Sequence, residues 1–527
     1  MKNLLLTDRQ LNFFTAAFIV LISAFPLFFD LPFRDNLFLT WEGTYRLSIG
    51  QIPYRDFTMP IGYGLFIIPF IFFKIFGSGL VTLLYAQVFT NIVLLWVFGK
   101  ILRLLNISEI AIFFATMVFA MSYTFVFFWP WYNHAALFYE IVGLYFVVKL
   151  ISLNKISIRN LLYCIPAGFF IFLSLFTKQD YGGLALIFSL VLLCIDSITQ
   201  KRWKLLVGFI VCYTLFTCIF ILPLLPYQFS YWFNHGQAPH SSRLSLFDLI
   251  NEFFGGSSVE KLYLLMIFLF VFYRFSSIAD FFKDRNHLFL FLITVGMIVQ
   301  TLLTKVTSRL PADTTTYFHA FAVVYLIQQT GIFLKLRNVF KFFVVFGLFI
   351  IWWSAIYWDY ANRIFKPAVS VKSEKTQTLP TTLVNTSWKS SNFKTFKKVT
   401  LPQQTIKGID SIKILYSKIA STNPVVLNMS ELTPLAAELN YKPIKNLPLW
   451  YHLNIGIFQS QVDTISFNIQ KNTYDMVLFE FVPNLNNFYP FSLRDSLKKH
   501  YSMPLVFPAP RKDGKSIIEV FVRKSID

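Results

Sequence analysis

The chain has 527 residues, of which 55% are hydrophobic, 14% charged and 64 phenylalanine. A soluble domain carries roughly 25% charged residues, so this composition argues against a cytosolic enzyme and for an integral membrane protein. A net charge of +20 in so apolar a chain is not read as a nucleic-acid signal.

The charge is uneven. Residues 1–360 hold 25 Lys/Arg against 16 Asp/Glu, and residues 361–527 hold 22 against 11. The sequence therefore predicts a membrane domain over 1–360 and a basic α/β domain over 361–527. A hydrocarbon core about 30 Å thick takes roughly 20 apolar residues per helix. Twelve apolar stretches fit, near 11–31, 61–77, 80–98, 108–128, 133–151, 160–177, 181–197, 205–224, 260–275, 287–304, 315–334 and 340–358. Leu11–Leu31 has no small-residue cleavage site and reads as a span, not a signal peptide. Cys164, Cys194, Cys212 and Cys218 all lie inside these runs, without the spacing of a zinc site or the density of a disulfide scaffold.

Cations set the expected orientation in a cell (inner) membrane. Lys155/Arg159, Lys201/Arg202/Lys204, Lys283/Arg285 and Lys335/Arg337/Lys341 mark cytoplasmic loops, and Lys2 and Arg9 place the N-terminus with them. Trp129–His134, Thr177–Gly182, residues 225–259, Thr304–Thr314 and the C-terminal domain then fall outside. This arithmetic closes with 11 spans if Ile61–Phe98, which holds Gly62, Gly64, Pro69 and Lys74, makes one net crossing.

The first outer loop, residues 32–60, crowds Asp35, Glu42 and Asp56 together with Arg34, Arg46 and Arg55. Thr40–Ile49 has the spacing of a short interfacial helix with Trp41 and Tyr45 as anchors. Carboxylates held there by arginines suit general-base work, and the arginines suit phosphate. The plainer alternative is a set of solvated charges paired with one another.

Three further outer segments carry polar groups. Lys178 and Asp180 sit at a helix junction, where a lysine can take a phosphate or simply snorkel to water. Lys305, Arg309, Asp313 and His319 follow a late span, and Arg309 with His319 could hold a phosphate oxygen. Trp131, Tyr132 and His134 read first as an aromatic belt and second as a sugar-stacking face. Glu140 lies within a span, where a carboxylate costs about 2.5–3.5 kcal/mol on insertion scales, so a polar partner is expected.

In the C-terminal part, Pro424–Asn428, Tyr474–Phe481, Met503–Phe507 and Ile517–Arg523 read as strands, and Leu432–Asn440 and Ser492–His500 as helices. Lys366–Leu401 reads as a linker or loop-rich edge. No phosphate loop, triad spacing or metal cluster is legible there.

The run Glu42-Gly43, Gly50, Pro53-Tyr54-Arg55-Asp56-Phe57, Pro60, Gly62 and Phe76-Gly77, set between apolar segments, resembles the GT-C superfamily of polytopic glycosyltransferases, of the protein-mannosyltransferase and aminoarabinose-transferase type. The similarity extends to the layout of the chain, but only this loop matches at motif level. The resemblance implies a polytopic α-helical membrane protein of about 11–12 transmembrane helices with a C-terminal α/β domain. It implies transfer of a sugar from a polyprenyl-phosphate donor to an acceptor hydroxyl on the outer face, usually with inversion. The acceptor would be a lipid, a polysaccharide or a protein. Related enzymes often carry Asp-Glu where this chain has Trp41-Glu42, which puts Glu42 first as base, then Asp56, with Asp35 in the same loop. Lys178, Arg309, His319 and Arg55 would bind the donor phosphate, and Trp131, Tyr132, His134, Glu140, Asp180 and Asp313 would line the substrate. No spacing requires a cofactor, although carboxylates beside a phosphate admit Mg or Mn. The rival class is a transporter or flippase of lipid-linked sugars, against which no internal repeat is visible. A glycan polymerase or ligase and a non-catalytic scaffold are further alternatives.

Overall fold

The structure, a computed structural model, describes residues 5–33, 37–153, 157–234, 245–308, 317–365, 387–419, 423–483, 489–511 and 515–524. The chain divides into two compact units. One comprises Met1–Phe25, Gln87–Pro223 and Ser242–Tyr360; the other comprises Pro26–Ala86, Leu224–Ser241 and Ala361–Asp527. The division keeps a boundary at 360 but groups residues 26–86 and 224–241 with the C-terminal part.

All twelve apolar stretches carry a helix. Among the described residues, seven helices are long and apolar enough to cross a membrane, or eight if Leu246–Gly255 and Ser258–Arg274, bent by 79° at their junction, count as one span. Gly64–Phe76, Glu109–Phe125 and Val339–Trp352 are shorter apolar helices. The chain is a multi-pass membrane protein. At 1.5 Å per residue the 13 residues of Gly64–Phe76 rise only about 20 Å.

In the helical unit, Tyr132–Ser152 packs on Cys164–Leu175 and Gln179–Gln200, while Asp8–Ala24 and His319–Thr330 pack on Glu109–Val126. Phenylalanine takes the place of branched aliphatics: Phe98 meets Phe119 and Phe321 edge-on at 4.8 and 5.0 Å. Five arginines of this unit are held in ion pairs or hydrogen bonds. Arg202 and Arg285 both pair with the buried Asp196, Arg274 bridges Gln329 and Asp284, Arg103 binds Glu109 and Asn12, and Arg337 binds Asp8. Loops that the sequence assigned to one side thus share partners. Thr304–Ser308, expected in a loop, instead completes the helix Arg285–Ser308.

In the second unit a four-stranded sheet runs in the order Val426–Met429, Met476–Phe481, Ile517–Arg523, Tyr501–Pro508. The first pair is parallel and the others antiparallel. Helices Gln403–Ser417, Gln459–Gln470 and Phe491–His500 accompany it. The expected strands and the second helix are present. The first helix shrinks to Leu435–Glu438. Part of the expected linker is ordered structure, because Trp388–Ser390 and Val399–Pro402 form an antiparallel pair. Leu31–Pro32 adds to that pair in parallel, and Phe57–Thr58 pairs in parallel with Leu447–Pro448. Both ends of the first loop are therefore strands of the unit that holds the C-terminal sheet.

Candidate functional site

The motif residues of the first loop build its backbone before they offer chemistry. Leu37–Ser48 is a helix. Gly43 on it faces Phe66, and a Cβ there would lie 2.3 Å from the ring. Gly50, at φ +87°, ends the helix in the left-handed conformation that glycine adopts most readily. Tyr54 holds the same region at φ 64° without that freedom. Its hydroxyl donates to the Ile61 carbonyl at 2.7 Å, and its ring is edge-on to Phe229 at 5.1 Å. The turn so fixed sends Phe57 into the strand pairing with Leu447. Trp41 is wholly buried, donates its indole N–H to the Ser78 carbonyl at 2.8 Å and stacks on Tyr45. It is a core residue, not the interfacial anchor expected from sequence.

Glu42 and Arg46, one helical turn apart, face the same side and are buried. Arg46 Nε donates to Glu42 Oε1 at 2.8 Å, and its Nη1 donates to Gln51 Oε1 and the Ile444 carbonyl. Gln51 in turn donates to the Pro443 carbonyl. Glu42 and Arg46 line a cavity of about 20 Å³ with Asn428, Tyr441 and Tyr451. That volume suits one water rather than a sugar. Burial raises the Glu42 pKa and the arginine opposes it, leaving a net upward direction.

Asp56 is held differently. Arg55 donates to it at 2.7 Å, the Ile52 N–H at 2.9 Å, and Lys445 lies at 3.2 Å. The Arg55 bond, with the Ile52 N–H and Lys445, outweighs burial and lowers its pKa to about 2. Arg55, expected to bind phosphate, is engaged by this carboxylate. Lys445 and Gln51 were not singled out in the sequence; only a contact some 390 residues away reveals them. Asp35 lies outside the described residues.

In the helical unit, the other expected residues form two groups. Lys178, 2% exposed, donates to Asp180 at 2.8 Å and lies over the rings of Tyr132 and Tyr181. Burial lowers its pKa, and Asp180 opposes the shift. Tyr181 and Tyr317 share a hydrogen bond of 3.0 Å, so this junction adjoins the start of the His319 helix. There Lys305 pairs with Glu260, and His319 Nε2 approaches the same carboxylate at 3.3 Å. Glu252 lies 3.8 Å from Lys305. The sequence reading missed Glu260, although a carboxylate opening an apolar stretch signals a polar partner. Arg309 and Asp313 lie outside the described residues. Among the described residues, Lys178 is matched by Asp180, and Lys305 faces both Glu260 and Glu252.

Glu140 accepts from Gln300 at 2.6 Å, while its other oxygen, both polar atoms of Asn133 and both ring nitrogens of His134 are buried without a hydrogen-bond partner among the described residues. His134 packs on Tyr123 and Tyr317 at 4.5 and 5.6 Å. Trp131 is half-buried beside Tyr132 and stacks on Phe127. Among the described residues no group of three or more His, Cys, Asp or Glu is placed to hold a metal ion.

No family model and no curated protein sequence matches the chain. Solved structures do. The apo structure of ArnT from Cupriavidus metallidurans matches with a TM-score of 0.53 at 10% identity, covering 96% of this chain and 97% of that one. The same protein bound to undecaprenyl phosphate matches at 0.50 and 11% identity, covering 97% of each chain. The archaeal oligosaccharyltransferase AglB from Archaeoglobus fulgidus, in complex with an inhibitory peptide and a dolichol-phosphate, gives 0.47 at 10% identity, over 97% of this chain and 74% of that one. The chain has the ArnT fold from end to end, and the resemblance read from the first loop agrees with it.

Proposed function

We propose that the chain is a membrane glycosyltransferase that moves a sugar from a polyprenyl-phosphate carrier to an acceptor hydroxyl. The observation that carries this reading is the fold likeness over nearly the whole chain to ArnT, which was solved with undecaprenyl phosphate. The first-loop motif, which here orders Glu42 and Asp56, supports it.

In the proposed step the acceptor oxygen attacks the anomeric carbon and its proton passes to a carboxylate. The bond from that carbon to the phosphate oxygen breaks, and the electron pair leaves with the polyprenyl phosphate. Glu42 is assigned as base. Its raised pKa makes it the stronger proton acceptor of the two described carboxylates, whereas Asp56, held near 2, binds a proton weakly at neutral pH. Asp56 is assigned to holding Arg55 and Lys445 in the loop. In the helical unit, Lys178 and Lys305 with Arg309 are assigned to the phosphate, and His319 to orienting Glu260. Because Lys178 and Lys305 are each paired with a carboxylate, Arg309 is essential to this assignment. Asn133, His134 and Glu140, buried with unused hydrogen-bonding capacity, are assigned to polar substrate atoms or to water. The outer face of a cell membrane is the proposed site of reaction.

The test is transfer by the purified chain in liposomes containing a polyprenyl-phosphate sugar. Glu42→Gln is expected to slow transfer by about 10²–10⁴-fold, the usual worth of a general base. Asp56→Asn is expected to slow it less. Full activity in Glu42→Gln removes the base assignment.

A further inference from the structure

A second cavity, of about 300 Å³, lies in the helical unit on two helices that carry none of the candidate site residues. Its walls are Asp8–Ala24 and the later turns of Leu80–Leu104. The lining is graded along these helices. Asn12, Lys100 and Arg103 occupy one end, and Ile19 and Leu95 the other. Seven residues from Asn12 to Ile19, and eight from Leu95 to Arg103, give a groove about 10 Å long.

The polar end is charged and ordered. Arg103 is gripped by both oxygens of Glu109, each at 2.8 Å, and also binds Asn12. Its charge is thereby neutralised. Lys100 has no carboxylate within ion-pair distance among the described residues, and its ammonium rests on the Trp96 ring, 5.1 Å from the centroid. The groove therefore carries about one uncompensated positive charge.

Its surroundings are those of a lipid-facing wall. Trp96, Phe13 and Leu21 are each more than half exposed, and only 28% of the apolar window of Asp8–Phe28 is buried. A tryptophan beside a lysine at the end of a spanning helix marks the level of the lipid headgroups. A pocket that is cationic at headgroup level and apolar below matches a molecule with a phosphate above hydrocarbon.

We propose that this groove binds one anionic phospholipid of the bilayer, with its phosphate on Lys100 and its first methylenes against Ile19 and Leu95. Neither the ArnT-like fold nor the transferase reading requires such a site, and it stands whether or not that reading holds.

The experiment is native mass spectrometry of the full chain in detergent, titrated separately with phosphatidylglycerol, phosphatidylcholine and inorganic phosphate. One phosphatidylglycerol is expected to bind in preference to phosphatidylcholine, with no retention of inorganic phosphate. Lys100→Gln should weaken phosphatidylglycerol about fivefold, the worth of one lysine at an anionic headgroup. Ala16→Phe, which fills the groove from an exposed position, should abolish the site, and Lys204→Gln should leave it intact. Equal binding of the two lipids, equal binding of inorganic phosphate, or full affinity in both Lys100→Gln and Ala16→Phe would each overturn the proposal.

Discussion

Arg46 is the side chain on which the first loop depends most, and its removal has a calculable consequence. It donates to Glu42 at 2.8 Å, to Gln51 at 2.9 Å and to the Ile444 carbonyl at 2.8 Å, and it is 2% exposed. Arg46→Met keeps the volume and deletes every donor. The uncompensated Glu42 carboxylate alone accounts for about 3–5 kcal/mol. At about 2–4 °C per kcal/mol, the midpoint of thermal unfolding should fall by about 10 °C. Adding Glu42→Gln to Arg46→Met removes the stranded charge, so the double variant should regain at least about 1 kcal/mol relative to the sum of the singles. Thermal unfolding of all four proteins in one detergent measures both quantities. An Arg46→Met protein within about 1 °C of the parent, or strictly additive variants, would refute the buried pair.

The other expectations concern pH and packing. The folded-state pKa of Asp56 is depressed from 3.8 to about 2, so its stabilisation is full above pH 4 and lost as the pH falls toward 2. The shift corresponds to about 2 kcal/mol, reduced to about 1 because the Arg55 and Lys445 side chains are 38% and 60% exposed. Asp56→Asn should therefore flatten the acid limb of a stability–pH curve, and an unchanged limb would contradict the ion pairs. Transfer activity should rise with pH through a midpoint above 4.5, because Glu42, in the base role proposed for it, works only when ionised and its pKa is raised. Gly43→Ala should cost about 1–3 kcal/mol, since its Cβ meets a fully buried Phe66 ring, and Phe66→Leu should restore part of the loss.

The membrane class, the helix positions and the C-terminal strands were legible because each is a local signal. Apolar run length gave the helices, and unbroken stretches such as Met476–Phe481 gave buried strands. The first loop was legible as a motif but not as a structure. Glu42 and Asp56 were singled out together with the arginines beside them, yet the Ile444 carbonyl that holds Arg46 and the Lys445 that adds to the Asp56 pairing lie in a segment with no motif of its own. Trp41 was misread because an aromatic residue near a span has two common fates, and only the Ser78 contact chooses between them. Glu260 escaped notice because its importance comes from Lys305 and His319, which converge on it from other helices.

The central claim is that a sugar–phosphate bond is broken. The direct measurement uses the chain reconstituted in liposomes with a doubly labelled polyprenyl-phosphate sugar, the label divided between lipid and sugar. The account predicts one free polyprenyl phosphate for each sugar appearing on the acceptor, with Glu42→Gln suppressing both together. Movement of the intact labelled lipid across the bilayer, with no free polyprenyl phosphate formed, would contradict it.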